Sequence, residues 1–192
     1  MGDRVAVMRS GFLQQVAEPQ VLYDSPANLF VAGFIGTPPM NLLEASVSVN
    51  GGVKVNLAGT ELDVPDEALQ AYPKLRGYDG RPVVAGLRAQ FLHPAADRPD
   101  LPKVDASVEL VEALGGESMV YFRVDANVIR EGQEEETIEE VSEASEGVVA
   151  QRPNLVAQFP AHIQLQIHDK LPVAVEVARM HFFDEETGEP LR

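Results

Sequence analysis

Residues 104–124 read VDASVELVEALGGESMVYFRV. Two valine-rich runs, 104–110 and 119–124, flank Leu114-Gly115-Gly116, and both runs alternate in part between apolar and polar residues. Valine, tyrosine and phenylalanine favour strands, and paired glycines favour a tight turn between them. The stretch therefore predicts a β-hairpin.

The same pattern recurs along most of the chain after residue 40. Asn50-Gly51-Gly52 is a second hairpin signal, and one helix is predicted between strands, over Pro65–Ala71. Many short strands separated by turn residues are typical of a small barrel or sandwich, and we therefore predict a mainly β fold. The further predicted strands are Asn41–Val49, Val53–Leu57, Val83–Leu87, Ile163–His168 and Val173–Val177.

The first 37 residues have a different character. Two short strands, Arg4–Met8 and Phe12–Val16, enclose a turn, and prolines and glycines then bound two short helices over Pro19–Tyr23 and Asn28–Phe34. Thr37-Pro38-Pro39-Met40 ends this segment, because proline cannot continue a helix. We predict a short α/β appendage over residues 1–37 and a β-domain over residues 38–192.

Composition argues against several classes of function. The chain of 192 residues has 15 basic and 30 acidic residues, a net charge of −15, and no cysteine. Without a basic cluster, binding to nucleic acid or to an anionic membrane surface is not expected, and no apolar run is long enough for membrane insertion. The absence of cysteine excludes a disulfide framework and fits a reducing cytoplasm.

The acidity is concentrated in one segment. Eight glutamates lie between Glu131 and Glu146, with no basic residue among them. Because like charges repel, we expect residues 131–146 to be a mobile loop or a solvated helix inserted between two strands. A solubilising insertion is the simpler interpretation, and an acidic docking segment is the alternative.

Motifs for catalysis are missing. A P-loop requires a Gly-Lys pair, and none of the lysines (Lys54, Lys74, Lys103, Lys170) follows a glycine. Leu114–Ser118 faintly echoes the Leu-Ser-Gly-Gly-Gln signature of transporter ATPases, but a hairpin turn explains it better. The histidines (His93, His162, His168, His181) lack the spacing of a metal-binding helix, and His162 and His168 would lie about 20 Å apart along a strand. We predict no catalytic, cofactor-binding or metal-binding residue and no cofactor.

Several longer stretches match one family in order. Met1–Met8 and Gly11–Val16 lead into Pro19–Tyr23, Phe30–Gly36 and Met40–Leu43. Together they resemble the junction at which the nucleotide-binding domain ends in the ATPases of carbohydrate ABC importers, of the maltose-transporter type. Further matches are Val111–Gly115 with Glu117, and Ala178–Asp184 with Thr187 and Gly188.

One matching segment departs from the family. Gly86 and Arg88 fit a Gly-Ile-Arg-Pro-Glu-His pattern, but Ala89, Gln90 and Phe91 replace its last three residues. The acidic run at 131–146 is an insertion relative to the family pattern. The contacts that the 86–91 segment makes in relatives therefore do not transfer directly to this chain.

The resemblance implies a non-catalytic regulatory and dimerisation domain, of the transport-associated OB (TOBE) type, preceded over residues 1–37 by the end of a nucleotide-binding domain. It implies a homodimer through the β-domain, with the importer permease and a regulatory protein as partners of an ATP-hydrolysing parent, in the cytoplasm at the inner face of the membrane. The P-loop and the switch histidine of such a parent are not in this chain. The alternative is an OB-like barrel that senses an oligosaccharide or an oxyanion; the acidic balance disfavours the oxyanion, and the lack of tryptophan disfavours the sugar.

Without the sheet of a nucleotide-binding domain, five apolar side chains of the first two strands would need cover. We expect this segment to fold back on the barrel, to pair with a second copy, or to be disordered. These side chains are Val5, Val7, Phe12, Leu13 and Val16.

Overall fold

The computed structural model describes residues 2–129 and 153–192, and the acidic segment 131–146 lies outside them. An antiparallel hairpin is followed by two short helices and then by strands with one further helix. The elements are β1 (Val5–Arg9), β2 (Phe12–Ala17), α1 (Pro19–Asp24), α2 (Leu29–Phe34), β3 (Asn41–Ser48), β4 (Lys54–Leu57), β5 (Thr60–Asp63), α3 (Asp66–Ala71), β6 (Pro82–Leu87), β7 (Leu92–Pro94), β8 (Lys103–Ala113), β9 (Glu117–Arg123), β10 (Leu155–Pro160), β11 (Lys170–Val175) and β12 (His181–Asp184).

Strands β3 to β12 form two antiparallel sheets of five strands, ordered β12-β6-β3-β4-β5 and β10-β9-β8-β11-β7. The outermost strands of the second sheet, β10 and β7, contact each other, so that this sheet curls into a nearly closed barrel. The predicted mainly β fold is confirmed. So are both glycine turns, which join β3 to β4 and β8 to β9.

Strand β6 is buried on both faces, which places it between two layers. Since successive side chains of a strand point to opposite faces, Val83 and Ala85 enter the core shared by the two sheets, whereas Val84 faces the helices. Helix α2 therefore covers the outer face of the first sheet. This outer cluster comprises Leu29, Ala32, Met40, Leu42, Val84 and Phe183.

The β1–β2 hairpin rests on the two helices. Val7 is 2 % exposed and packs with Leu22 of α1 and Val31 of α2. Three arrangements were expected for this segment, and in the structure it folds back onto the rest of the chain. The helices lie between the hairpin and the barrel. The hairpin is only partly covered, with Phe12 75 % and Leu13 58 % exposed.

The strand predicted over Ile163–His168 is wrong. Residues 161–169 form turns and irregular chain that cross one end of the barrel from β10 to β11. Ile163 and Leu165 do face the core, which explains the alternation, but His168 has a φ of +74° that interrupts extended backbone. His162 and His168 therefore do not lie along one strand, contrary to the prediction.

Strands β5, β7 and β10 were not predicted. No helix in the described residues is long and apolar enough to cross a bilayer.

Candidate functional site

Arg88 joins the barrel to the helices. It follows strand β6, is 1 % exposed, and its Nη2 donates to the carbonyl of Tyr23 at 2.6 Å while its Nη1 donates to the carbonyl of Ile35. These carbonyls lie at the carboxyl ends of α1 and α2, where no intrahelical donor is left for them. The guanidinium also lies over the Tyr23 ring, 3.8 Å from its centroid. One side chain therefore binds the ends of both helices.

The acceptors of Arg88 are neutral groups. Its Nε is buried and has no hydrogen-bond partner among the described residues. Burial lowers the pKa of Arg88, and the nearby Tyr23 and Asp24 act in the opposite direction. Because an arginine guanidinium is not deprotonated in proteins, the side chain stays charged at neutral pH. A buried cation is thus held by two carbonyls and one ring.

Gly36 and Gln90 complete this joint. Gly36 has a φ of +127°, and a Cβ there would lie 2.8 Å from Nη1 of Arg88 and 3.3 Å from Cε2 of Tyr23. A residue with a side chain therefore cannot take this position without moving Arg88. The Tyr23 hydroxyl donates to Oε1 of Gln90 at 3.2 Å. Tyr23 is held by its ring, its carbonyl and its hydroxyl.

The departures from the family pattern at residues 89–91 lie beside this joint. Gln90 accepts the hydrogen bond from Tyr23, and Phe91 packs under the Arg179 guanidinium, whose carbon lies 4.7 Å from the ring centroid. The segment that the resemblance left without assigned contacts therefore contacts α1 through Gln90. Sequence reasoning did not find Arg88 or Gln90 as contacts, because their partners lie more than 50 residues away.

Two adjacent glutamines attach the hairpin to the helices. Gln15 accepts from the backbone N–H of Ala27 at 2.8 Å and donates to the carbonyl of Ser25 at 3.0 Å. Gln14 accepts from Nδ2 of Asn28 at 2.9 Å, and Asn28 in turn caps α2. The loop between the helices is thereby fixed to β2 by side-chain amides.

The hairpin and the two helices carry a group of exposed apolar side chains. The five side chains that form it are between 44 % and 75 % exposed. Strands β1 and β2 pair only with each other among the described residues, so each also has an open edge. Exposed apolar patches of this kind mark interaction surfaces. The hairpin face, as we call it, consists of Met8, Phe12, Leu13, Val21 and Phe34.

A second group of exposed apolar residues lies at one end of the barrel. Leu110 and Leu114 belong to the β8–β9 hairpin and are 42 % and 56 % exposed, and Ile167 is 55 % exposed. The crossing segment that carries Ile167 is bonded to this hairpin, because the backbone N–H of His168 donates to the carbonyl of Val108 at 2.7 Å. We call these three residues the barrel-end patch.

A shallow groove of about 410 Å³ lies between β8, the end of β9 and the start of β11. Its charged lining carries both signs, with Asp105 and Asp125 opposite in charge to Arg123 and Lys170. Arg123 is engaged by Glu109 at 3.0 Å. Such a lining offers both donors and acceptors to a polar ligand.

The four histidines are not brought together. His181 is buried and lies 2.8 Å from the Tyr72 hydroxyl through Nδ1, His93 lies 3.2 Å from Glu176, and His162 and His168 are exposed. Within residues 2–129 and 153–192, no group of three histidine, aspartate or glutamate side chains could hold a metal ion. Leu114–Ser118 forms a hairpin turn and does not begin a helix, as expected.

Comparison with known proteins finds a family model that matches part of the chain. Residues 36–91 match the MalK OB fold domain. The chain is 36 % identical to the trehalose/maltose import ATP-binding protein MalK of Thermococcus litoralis, over 100 % of this chain and 45 % of that protein. It is 32 % identical to the trehalose import ATP-binding protein SugC of Mycobacterium tuberculosis, over 98 % of this chain and 47 % of that protein.

Other comparisons are more distant. The oligosaccharides import ATP-binding protein MsmX of Bacillus subtilis is 28 % identical over 100 % of this chain and 45 % of its own length. A solved structure of the molybdate-binding protein ModG aligns over 74 % of this chain and 94 % of the ModG chain, with 13 % identity and a TM-score of 0.47. This similarity is too low to support an argument about ligands. The chain spans about half the length of the curated relatives it matches. Residues 36–91 thus match the MalK OB fold domain, and along its whole length the chain is similar to part of ATP-binding proteins named for the import of sugars.

Proposed function

We propose that this chain is a non-catalytic regulatory and dimerisation module of a sugar-importer ATP-binding subunit, acting by protein contact in the cytoplasm. The observation that carries the proposal is the hairpin face, an uncovered apolar surface in a chain that spans about half of its relatives. An apolar surface with two open strand edges is unfavourable in water and is stabilised by a docked sheet. The remaining half of an ATP-binding subunit is the occupant that fits.

The division of the chain follows from this proposal. Residues 1–37 form the end of the nucleotide-binding portion, and residues 38–192 form the regulatory OB domain. Hydrolysis of ATP belongs to the other half of the subunit, because this sequence has no Gly-Lys pair to hold phosphates. The purified chain should therefore not bind or hydrolyse ATP, and saturable binding of a labelled ATP analogue would contradict this part of the proposal.

A homodimer through the β-domain is the second part of the proposal. The barrel-end patch supports it, because its three exposed apolar side chains belong to the β8–β9 hairpin and the segment bonded to it, and none of them belongs to the hairpin face. An importer permease and a regulatory protein are the further partners proposed for the complete subunit. In that setting the module lies at the inner face of the membrane without inserting into it.

Light scattering over a concentration series tests the dimer and its location. Ile167→Lys places a charge on the barrel-end patch, and Phe12→Lys places the same charge on the hairpin face. A dimer that persists to low micromolar concentration and is lost only in I167K supports the proposal. A monomer at all concentrations would overturn dimerisation through the β-domain. A dimer lost only in F12K would overturn it as well, since that result means that the hairpin faces of two copies associate.

A second candidate function is supported by the groove beside β8. A small polar ligand, such as an oligosaccharide, could use the mixed donors and acceptors of Asp105, Arg123 and Lys170, whereas for an oxyanion the two aspartates offset the attraction of the two basic side chains. Titration calorimetry with trehalose, maltose and sulfate separates these possibilities. Sugar binding that is lost in Lys170→Met would support this candidate, and no binding up to millimolar concentration would remove it.

A further inference from the structure

Within the described residues, helix α1 is hydrogen-bonded to the barrel through one residue, Tyr23. Its buried residue Leu22 packs toward the hairpin and α2, within the cluster that contains Val7 and Val31. Helix α2, in contrast, packs directly on the first sheet, and its Leu29 N–H donates to the carbonyl of Gly188 at 2.9 Å. The hydrogen bonds from α1 to the barrel that the structure describes all go through Tyr23.

We propose that Arg88, together with Gln90, is a positioning joint that sets the orientation of helix α1 and the β1–β2 hairpin on the barrel. The joint concerns contacts within this chain, and it holds whether or not the chain has the function proposed above. Its consequence is that helix α1 and the barrel move as one body while Arg88 is in place.

The geometry requires an arginine. A guanidinium can donate to two carbonyls in different directions while its plane lies against an aromatic ring, and Arg88 does all three. The ammonium of a lysine is a compact point charge, and it cannot span the carbonyls of Tyr23 and Ile35 while stacking on the ring. Arg88→Lys should therefore behave like Arg88→Met and should not rescue the joint.

The joint is also weaker than an ion pair in one respect. The acceptors of Arg88 are uncharged, and its Nε is left without a partner, so the burial of the cation is only partly compensated. Loss of the contacts should loosen α1 on the barrel without unfolding the barrel, whose core is formed by other residues, while the hairpin keeps its contacts with α2.

Hydrogen exchange tests the proposal on the whole chain. In R88M and R88K, exchange of the amides in residues 19–24 should rise by about tenfold or more, while exchange in β8 and β9 stays unchanged. The matched control is Arg179→Met, which removes an exposed arginine from another cation–π contact on the same barrel. Equal protection of residues 19–24 in R88M and in the native chain would overturn the proposal.

A distance measurement gives a second readout. The chain has no cysteine, so spin labels can be placed at E18C, before α1, and at N56C, an exposed position on β4. The distance distribution should broaden in R88M and keep its width in R179M. Tyr23→Leu removes the stacked ring and the hydroxyl. If R88M does not fold, Y23L is the variant that tests whether the joint sets the orientation of α1. A distribution of native width in Y23L would then count against the joint.

Discussion

The Tyr72 hydroxyl and Nδ1 of His181 lie 2.8 Å apart in the core, although 109 residues separate them in the sequence. Burial raises the pKa of Tyr72, so the hydroxyl keeps its proton at neutral pH and can donate it to the ring nitrogen. Burial also lowers the pKa of His181 to about 4, with a smaller contribution from Arg88 and Arg192. The imidazole is therefore neutral in the folded protein at pH 7.

His181 should make the protein lose stability as the pH falls from 6.5 to 4. In this window the unfolded chain binds a proton at His181, whose ordinary pKa is 6.5, and the folded chain does not. The free energy of unfolding should fall by up to about 3 kcal/mol from this group. Urea unfolding at several pH values measures it, by comparing the slope of stability against pH in the native chain and in His181→Phe.

The control for this slope is His162→Gln, which changes an exposed histidine. Removal of His181 leaves the Tyr72 hydroxyl without that partner, so the absolute stability of H181F should also be lower. Only the slope is diagnostic. The interpretation fails if H181F keeps the native slope between pH 6.5 and 4.

Gly86 should not tolerate even a methyl group. A Cβ at this position would lie 2.5 Å from Sδ of Met40 and 3.1 Å from Cβ of His181, and the latter atom cannot move independently of its backbone. Gly86→Ala should therefore lower the free energy of unfolding by about 1–3 kcal/mol. Thermal or urea unfolding measures the change.

Gly33→Ala is the matched control for Gly86. A Cβ there would meet only Cδ1 of Leu42, at 3.4 Å, and the position lies within α2, where alanine is favoured over glycine by up to about 1 kcal/mol. G33A should be neutral or stabilising. Similar losses in G86A and G33A would mean that the close approach at Gly86 is relieved by rearrangement.

The elements that were predicted correctly have local signals. Glycine pairs at 51–52 and 115–116 reverse the chain between valine-rich runs, and these patterns act over a few residues. The run Ile163–His168 carries a similar alternation, but alternation reports only which side chains are buried. Ile163 and Leu165 pack against the core, but their segment pairs with no neighbouring strand. The alternation therefore predicted correctly which side chains are buried, and it wrongly predicted a strand.

The contacts of the candidate site could not be predicted from the sequence for a different reason. Arg88 was noticed only as part of a family pattern, and nothing near it in the sequence shows that it binds carbonyls of residues 23 and 35. Gly36 belonged to the glycines expected to bound the second helix, and its lack of a side chain also makes room for the Arg88 guanidinium. Contacts between distant polar groups depend on the tertiary fold, and short-range patterns do not encode them.

Asp184 should stabilise the turn that follows β12. Its Oδ1 accepts from the N–H groups of Glu186 at 3.1 Å and Thr187 at 2.7 Å, and its Oδ2 accepts from the Tyr78 hydroxyl at 2.6 Å. The bond from Tyr78 and those from the turn lower the pKa of Asp184 to about 2. Asp184→Asn should lower the free energy of unfolding by about 1–3 kcal/mol at pH 7, as measured in urea.

The pH dependence of this effect has a defined direction. The folded pKa of Asp184 lies below its ordinary value of 3.8, so its ionised form stabilises the fold above pH 3.8, and this contribution is lost as the pH falls toward 2. The difference between the native chain and D184N should therefore shrink in that range. Asp63→Asn, at a side chain that is 89 % exposed, is the control and should change little. Equal stability of D184N and D63N would contradict the assignment.

Asn41 should be required to hold β10 against the first sheet. Its side-chain amide donates to the carbonyls of Leu87 and Val156, both at 2.9 Å, and its Oδ1 accepts from the N–H of Val156 at 2.7 Å. The side chain thus pairs with Val156 as a neighbouring strand would, across the gap between the two sheets. Asn41→Ala leaves these buried groups without partners and should cost about 2 kcal/mol or more.

The two roles of the Asn41 amide can be separated. Asn41→Asp keeps an acceptor for the Val156 N–H but replaces the donor by a second oxygen that faces two carbonyls, so N41D should be no more stable than N41A. Urea unfolding gives the loss, and hydrogen exchange of residues 155–160 should rise in both variants. Asn56→Ala, at an exposed position, is the control. If N41D restored native stability, acceptance from Val156 alone would hold β10, and the donor half of the pairing would be unnecessary.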